Sequence, residues 1–290
     1  MSNWVDKLGP GGTIRAMDRQ AHALDRNRLS VLLAVLLFGS VLFRFIELPE
    51  QVWRLEPFGS PLEIYLTGET LLVTLMVGVV CTGTNLVLHA HPHLGEHPGR
   101  PIYIAWILPG VMAGLSAYLL SGLPTSALWI GGLAVVGVAI GLTIAAEYRA
   151  ISPETPGYAR ARLTLNVLAY LLVFILYTVI YRTRTRSLVT ATLTLTASAL
   201  IALDLLSIAD IPIQRVLPFA GIIGIVIGQS TWALNYWYIS AWVGGLFLLL
   251  IFYVMVNIAH QHLLEQLKPT ILVELAVITI AVLAIILLRI

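Results

Sequence analysis

The chain is predicted to be an all-α, polytopic integral membrane bundle of about nine transmembrane helices, with eight as the alternative count. Three observations carry this prediction. Hydrophobic residues make up 58% of the chain, charged residues only 11%, and the mean hydropathy is +0.89, whereas soluble domains are about a quarter charged. Apolar runs of about 20 residues recur, the length a helix rising 1.5 Å per residue needs to cross a hydrocarbon core of about 30 Å. The runs do not alternate polar with apolar residues, as the strands of a membrane barrel would. Lipid is therefore the expected solvent. The net charge of +2 implies no bulk attraction to nucleic acid. The single cysteine, Cys81, lies inside an apolar run and excludes an internal disulfide.

Taken in order, residues 1–28 read as a polar N-terminal segment. Ile14, Met17, Ala21 and Leu24 recur there at helical spacing among Arg15, Asp18, Arg19, Asp25 and Arg26, the pattern of a short helix on a membrane surface. Residues 29–290 read as a single transmembrane domain. The expected spans are Leu29–Leu48, Leu62–Leu88, Ile102–Leu120, Ala127–Ala146, Leu163–Tyr181, Leu188–Ile208, Val216–Leu234, Ile239–Ile258 and Ile271–Leu288. Between them, LPEQVWRLEPFGSP, HPHLGEHPGRP, SGLPTS, SPETPGY, DIPIQR and LKP carry the Pro, Gly, Ser and Asp of turns. Most are short, so neighbouring helices should pack antiparallel. No internal repeat divides the chain.

Lys and Arg set the expected orientation. Of the 17 such residues, most fall on the face shared with the N-terminus if spans alternate, so the N-terminus is expected in the cytoplasm of a cell-membrane protein. YRTRTRS opposes this trend, placing Arg182, Arg184 and Arg186 together on the outer face. Gly110 and Gly114, Gly137 and Gly141, and Gly224 and Gly228 each stand four apart within a span, a spacing that lets helix backbones approach closely. The expectation is packing inside the bundle, with docking of a partner protein as the alternative.

Few residues look like chemistry. In LHAHPHLGEHPGRP, His89, His91 and His93 alternate, Pro92 opposes a helix, and Glu96 and His97 follow. Imidazoles with a carboxylate suit zinc or another borderline divalent metal. A solvated interhelical loop is the plainer reading. His260 and His262 end the eighth span and should emerge on the same face, so a metal or haem site between the second and eighth helices is the sharper expectation.

Ionisable groups inside a span are the next candidates, because each costs about 2.5–3.5 kcal/mol to insert at its centre. They are Glu69 in LTGETLL, Asp204 in IALDLLS and Glu274 in ILVELAV. Each is readable as a structural ion pair or hydrogen bond, or as part of a proton or cation path. At the opposite face, GQSTWALNYWYISAW holds Trp232, Tyr236 and Trp237 beside Gln229, Ser230 and Asn235. An interfacial aromatic belt is the ordinary reading. A platform for a lipid, pigment or quinone ring is the sharper one, and Arg182, Arg184 and Arg186 would add an edge for a phosphate or other anion.

GLSA at Gly114–Ala117, with Ala259 and His260 far downstream, resembles the serine and histidine dyad of rhomboid proteases. No glycine follows that histidine at the usual spacing, and the two residues stand at different depths, so the resemblance does not carry the activity. The function expected from the sequence is a non-enzymatic accessory or scaffold subunit of a larger membrane assembly. Its expected partners are lipids, other membrane subunits or a second copy, with a lipid or hydrophobic cofactor held between them. A small ion- or proton-coupled transporter or channel using Glu69 and Asp204 is the first alternative. A redox or metal protein built on the histidine face is the second.

Overall fold

A computed structural model describes residues 26–45, 51–55, 62–91, 101–152, 157–183, 187–207, 211–237, 239–265 and 269–287. Nine α-helices are present among them: α1 (Arg26–Phe45), α2 (Gly68–Leu88), α3 (Ile107–Ser121), α4 (Ser126–Arg149), α5 (Tyr158–Thr183), α6 (Ser187–Leu206), α7 (Ile213–Leu234), α8 (Ala241–Leu263) and α9 (Pro269–Leu287). Seven of them, α2 to α8, are long and apolar enough to cross a membrane, α3 together with the 3₁₀ turn Ile102–Trp106 that leads into it. In α1 and α9 the apolar stretches Asn27–Leu42 and Val273–Ala284 are shorter. The fold is an all-α helical membrane bundle.

One segment departs from expectation. The apolar run from Leu62 has the length of a helix, but its first five residues form a strand, β2 (Leu62–Leu66), paired antiparallel with β1 (Gln51–Leu55). A short apolar run does not by itself distinguish strand from helix. The boundary is set by capping chemistry. Thr67 and Thr70 form a reciprocal capping box, in which the Thr67 side chain accepts from the Thr70 amide and Thr70 Oγ1 accepts from the Thr67 amide at 2.8 Å. Two otherwise orphaned amides are thereby satisfied, and α2 starts at Gly68.

Elsewhere the turns follow the sequence. Thr125 caps α4 by accepting from the Leu128 amide. Gly157 adopts φ of +90° immediately before α5, a conformation that a residue with a Cβ rarely takes. That turn lets α5 begin five residues earlier than expected, so Arg160 and Arg162 lie on the helix. Pro212 precedes α7 without the amide a first turn leaves unpaired anyway.

Consecutive helices pack against one another, with the closest association between α6 and α7, and α5 is also seated extensively on α8. One contiguous core runs from Leu32 on α1 to Ala259 on α8. All three glycine pairs face this chain's own helices. A Cβ at Gly224 would lie 2.8 Å from both the Leu195 carbonyl oxygen and the Ala199 Cβ, so α6 and α7 meet nearly backbone to backbone. Gly110 and Gly114 face Cys81 and Val77 of α2, and Gly137 and Gly141 face Leu37 and Leu33 of α1.

Candidate functional site

The bundle has two chemically different ends. At one, α2, α4, α6 and α8 finish while α1, α3, α5 and α7 begin. Three contacts tie it together: Arg28 on α1 donates to the Leu86 carbonyl at 3.1 Å, Arg162 on α5 donates to the Leu205 carbonyl at 3.4 Å, and His91 stands edge-on to Tyr148 with ring centroids 4.7 Å apart. Arginines that bond the last carbonyls of a neighbouring helix also complement its dipole.

This end buries ionisable groups. Glu147 on α4 is fully buried, Asp204 on α6 is 2% exposed and His91 is 3% exposed. Ser152 and Ser207 are buried with them, and the Ser207 hydroxyl donates a hydrogen bond to the Leu203 carbonyl at 2.6 Å. Asn85 Oδ1 and Trp106 Nε1, on packed neighbours, are buried with no hydrogen-bond partner among the described residues. An acceptor and a donor left in this way are suited to a bridging water or a small polar ligand.

The histidines share this end but not one site. His91 packs on Tyr148 of α4, His260 lies within electrostatic reach of Arg162 on α5, and the His262 ring meets Phe219 of α7 at a tilt, with centroids 5.4 Å apart. His89 is exposed. Among the described residues, no three His, Cys, Asp or Glu side chains come together as a metal set. His93 and His97 lie outside the described residues, as does the N-terminal amphipathic segment.

Glu69 belongs to the opposite end. The shifted start of α2 moves it from the interior of the expected span to the first helical turn, where its exposed carboxylate accepts a hydrogen bond from Ser121 Oγ at the end of α3. An acidic group there is favoured by the helix dipole. Glu69 and Asp204 therefore mark different ends of the bundle and do not line one local site. Glu274 is exposed in the second turn of α9. Ser116, the nucleophile of the rhomboid-like pattern, sits in the second half of α3, away from the end that carries His260.

The aromatic end answers a question the sequence leaves open. Tyr181 is buried near the end of α5, and its hydroxyl donates to the carbonyls of Leu234 at 3.0 Å and Trp237 at 2.8 Å. The end of α5 and the turn after α7 therefore meet. Arg182, next in sequence, is exposed there, while Arg184 and Arg186 lie outside the described residues. Trp232 and Tyr236 are exposed and stand edge to face at 6.5 Å, and Trp237 is exposed beside them. Trp232 and Tyr236 border a groove of about 500 Å³ between α6 and α7. Ala191, Leu195, Ile225 and Gly228 form its apolar walls, with Thr192, Gln229, Trp232 and Tyr236 adding polar and aromatic groups.

Sequence reasoning missed Glu147. Its signal was present, since Ile140, Ile144, Glu147 and Tyr148 recur at helical spacing and all four are buried. A carboxylate on an apolar stripe is a stronger indicator than one near a loop.

A family model described as "Protein of unknown function (DUF5656)" matches residues 48–289, and the chain belongs to that family. Neither the curated proteins nor the solved structures include a match to it.

Proposed function

We propose that this DUF5656 member is a non-enzymatic accessory membrane protein that holds a lipid-soluble, ring-bearing ligand of the quinone or pigment class between α6 and α7. The observation that carries this reading is the groove of about 500 Å³ with Gln229, Trp232 and Tyr236 along it. Its volume falls within the range of about 300–1,000 Å³ usual for small-molecule sites. Aromatic rings offer contact to a flat ring, the Gln229 side-chain NH2 offers a donor to a ring carbonyl, and the apolar walls accept a hydrocarbon tail. Because the glycine pairs are spent on internal packing, association with other subunits would use the exposed outer surfaces of the helices.

Titration of the purified chain with a short-tailed quinone, followed by tryptophan quenching, tests this reading. Saturable quenching is expected, with the Trp232→Leu and Gln229→Leu chains each binding about tenfold more weakly, or about 1.4 kcal/mol. Quenching that stays unsaturable, or is indifferent to both substitutions, would remove the reading.

A second reading, ion- or proton-coupled transport, is favoured by the buried Glu147 and Asp204 at the other end. Reconstituted chain should then pass protons or a cation down an imposed gradient. The flux should fall at least tenfold in Glu147→Gln or Asp204→Asn, and flux equal to that of protein-free vesicles would exclude it.

A further inference from the structure

We infer that the cleft between α1 and α2 is a binding site for one anionic phospholipid, with its phosphate at Arg28 and one acyl chain lying along the cleft. This site is independent of the α6/α7 groove, because it is built on different helices and has its charged mouth at the histidine end. The cleft is the larger of the two, at about 810 Å³. Its walls are apolar along Val31, Leu32, Val35, Val79 and Val87, and Asn27 and Arg28 stand at its mouth.

Three features select the occupant. The first is charge: a guanidinium above an apolar trough complements a phosphate ester attached to a hydrocarbon chain. Arg28 already donates through Nη1 to the Leu86 carbonyl, which holds the guanidinium at the mouth. Its planar fork of five N–H donors and its fixed positive charge are the side-chain chemistry best matched to a phosphate.

The second feature is length. The lining runs from Asn27 to Val35 on α1 and from Gly78 to Val87 on α2, or about 12 and 14 Å at 1.5 Å per residue. One leaflet of a hydrocarbon core of about 30 Å is about 15 Å deep. The cleft therefore spans one leaflet, from interface to midplane.

The third feature is what makes the hollow. At Gly83 the Leu32 side chain folds over the missing Cβ and forms a floor. One turn further from the mouth, a Cβ at Gly78 would meet nothing within 4 Å. Around the cleft, Val31, Val35 and Leu86 remain exposed within the chain, a surface that an acyl chain would cover.

Native mass spectrometry of the full chain, released from micelles with equimolar phosphatidylglycerol and phosphatidylcholine of identical acyl chains, tests the proposal. One phosphatidylglycerol should be retained in at least fivefold preference. Arg28→Gln should abolish the preference, Arg28→Lys should keep part of it, and Gly78→Leu, which fills open space, should reduce retention of both lipids at least fivefold. Unchanged thermal unfolding of Gly78→Leu separates a blocked cleft from a damaged fold. Equal retention of the two lipids by the parent chain would overturn the proposal, as would a preference that survives Arg28→Gln or retention that survives Gly78→Leu. Intermolecular disulfide formation by a Val35→Cys chain in native membranes, with exclusion of lipid, would assign the cleft to a second copy and overturn it equally.

Discussion

The α6/α7 and α1/α2 pairs both use glycine on the second helix, with opposite results. At Gly224 and Gly228 the partner presents backbone and the Cβ atoms fixed to it: the Leu195 and Ala191 carbonyl oxygens and the Ala199 and Leu195 Cβ atoms occupy the space that side chains would need. At Gly83 the partner presents only the Leu32 side chain, and at Gly78 it presents nothing. The first pair forms a seam, meeting nearly backbone to backbone at Gly224 and leaving its groove beside that contact, whereas the second is held apart by side chains and leaves a larger cleft. A glycine in a membrane helix is therefore defined by what lies opposite it, and spacing alone does not distinguish the two cases.

One substitution made at three positions breaks or confirms this contrast. Gly224→Ala should be the most damaging, at about 2–3 kcal/mol, because the new methyl meets backbone that cannot rotate away. The readout is thermal unfolding in detergent, and a loss under about 0.5 kcal/mol would show that the seam is loose. Gly83→Ala should cost about 1 kcal/mol, since the Leu32 side chain can change rotamer at modest expense. Tyr177→Phe sharpens the contrast from the α5 side. Its hydroxyl lies 2.6 Å from Ser198 Oγ in the core beside the seam, and cross-helix hydrogen bonds of this kind average about 0.6 kcal/mol. Gly78→Ala should change sign and stabilise by about 0.5 kcal/mol, through restriction of the unfolded chain with no clash in the folded one. A destabilising Gly78→Ala would mean that the cleft is narrower than described.

The two ends of the bundle were unequally legible. At the aromatic end, Trp232, Tyr236 and Trp237 could be read directly, because amphipathic rings concentrate where helices leave the membrane. The contact between that turn and α5 could not, since it depends on the Tyr181 hydroxyl reaching carbonyls more than fifty residues away. At the histidine end, the imidazoles cluster in the sequence, whereas His91 packs on Tyr148, His260 lies within electrostatic reach of Arg162, His262 meets Phe219 and His89 is exposed. Glu147 falls just past the expected end of its span at Ala146, and its burial comes from its place on the stripe with Ile140, Ile144 and Tyr148. Hydropathy runs unbroken through Leu62–Leu66 and sets Glu69 inside a span, whereas the Thr67 and Thr70 cap starts the helix at Gly68 and leaves Glu69 in its first turn.

By itself, the sequence determined the solvent, the helical class and the approximate limits of the helices. These follow from local composition, since in hydrocarbon each backbone polar group must be satisfied within its own segment or a closed sheet. It also marked the glycines that permit close contact. Only the tertiary structure decided which of them close a seam and which leave a cleft, which carboxylate is buried, and which polar groups share an end. Those outcomes depend on the atoms that another helix presents across the gap, and these are remote in the chain.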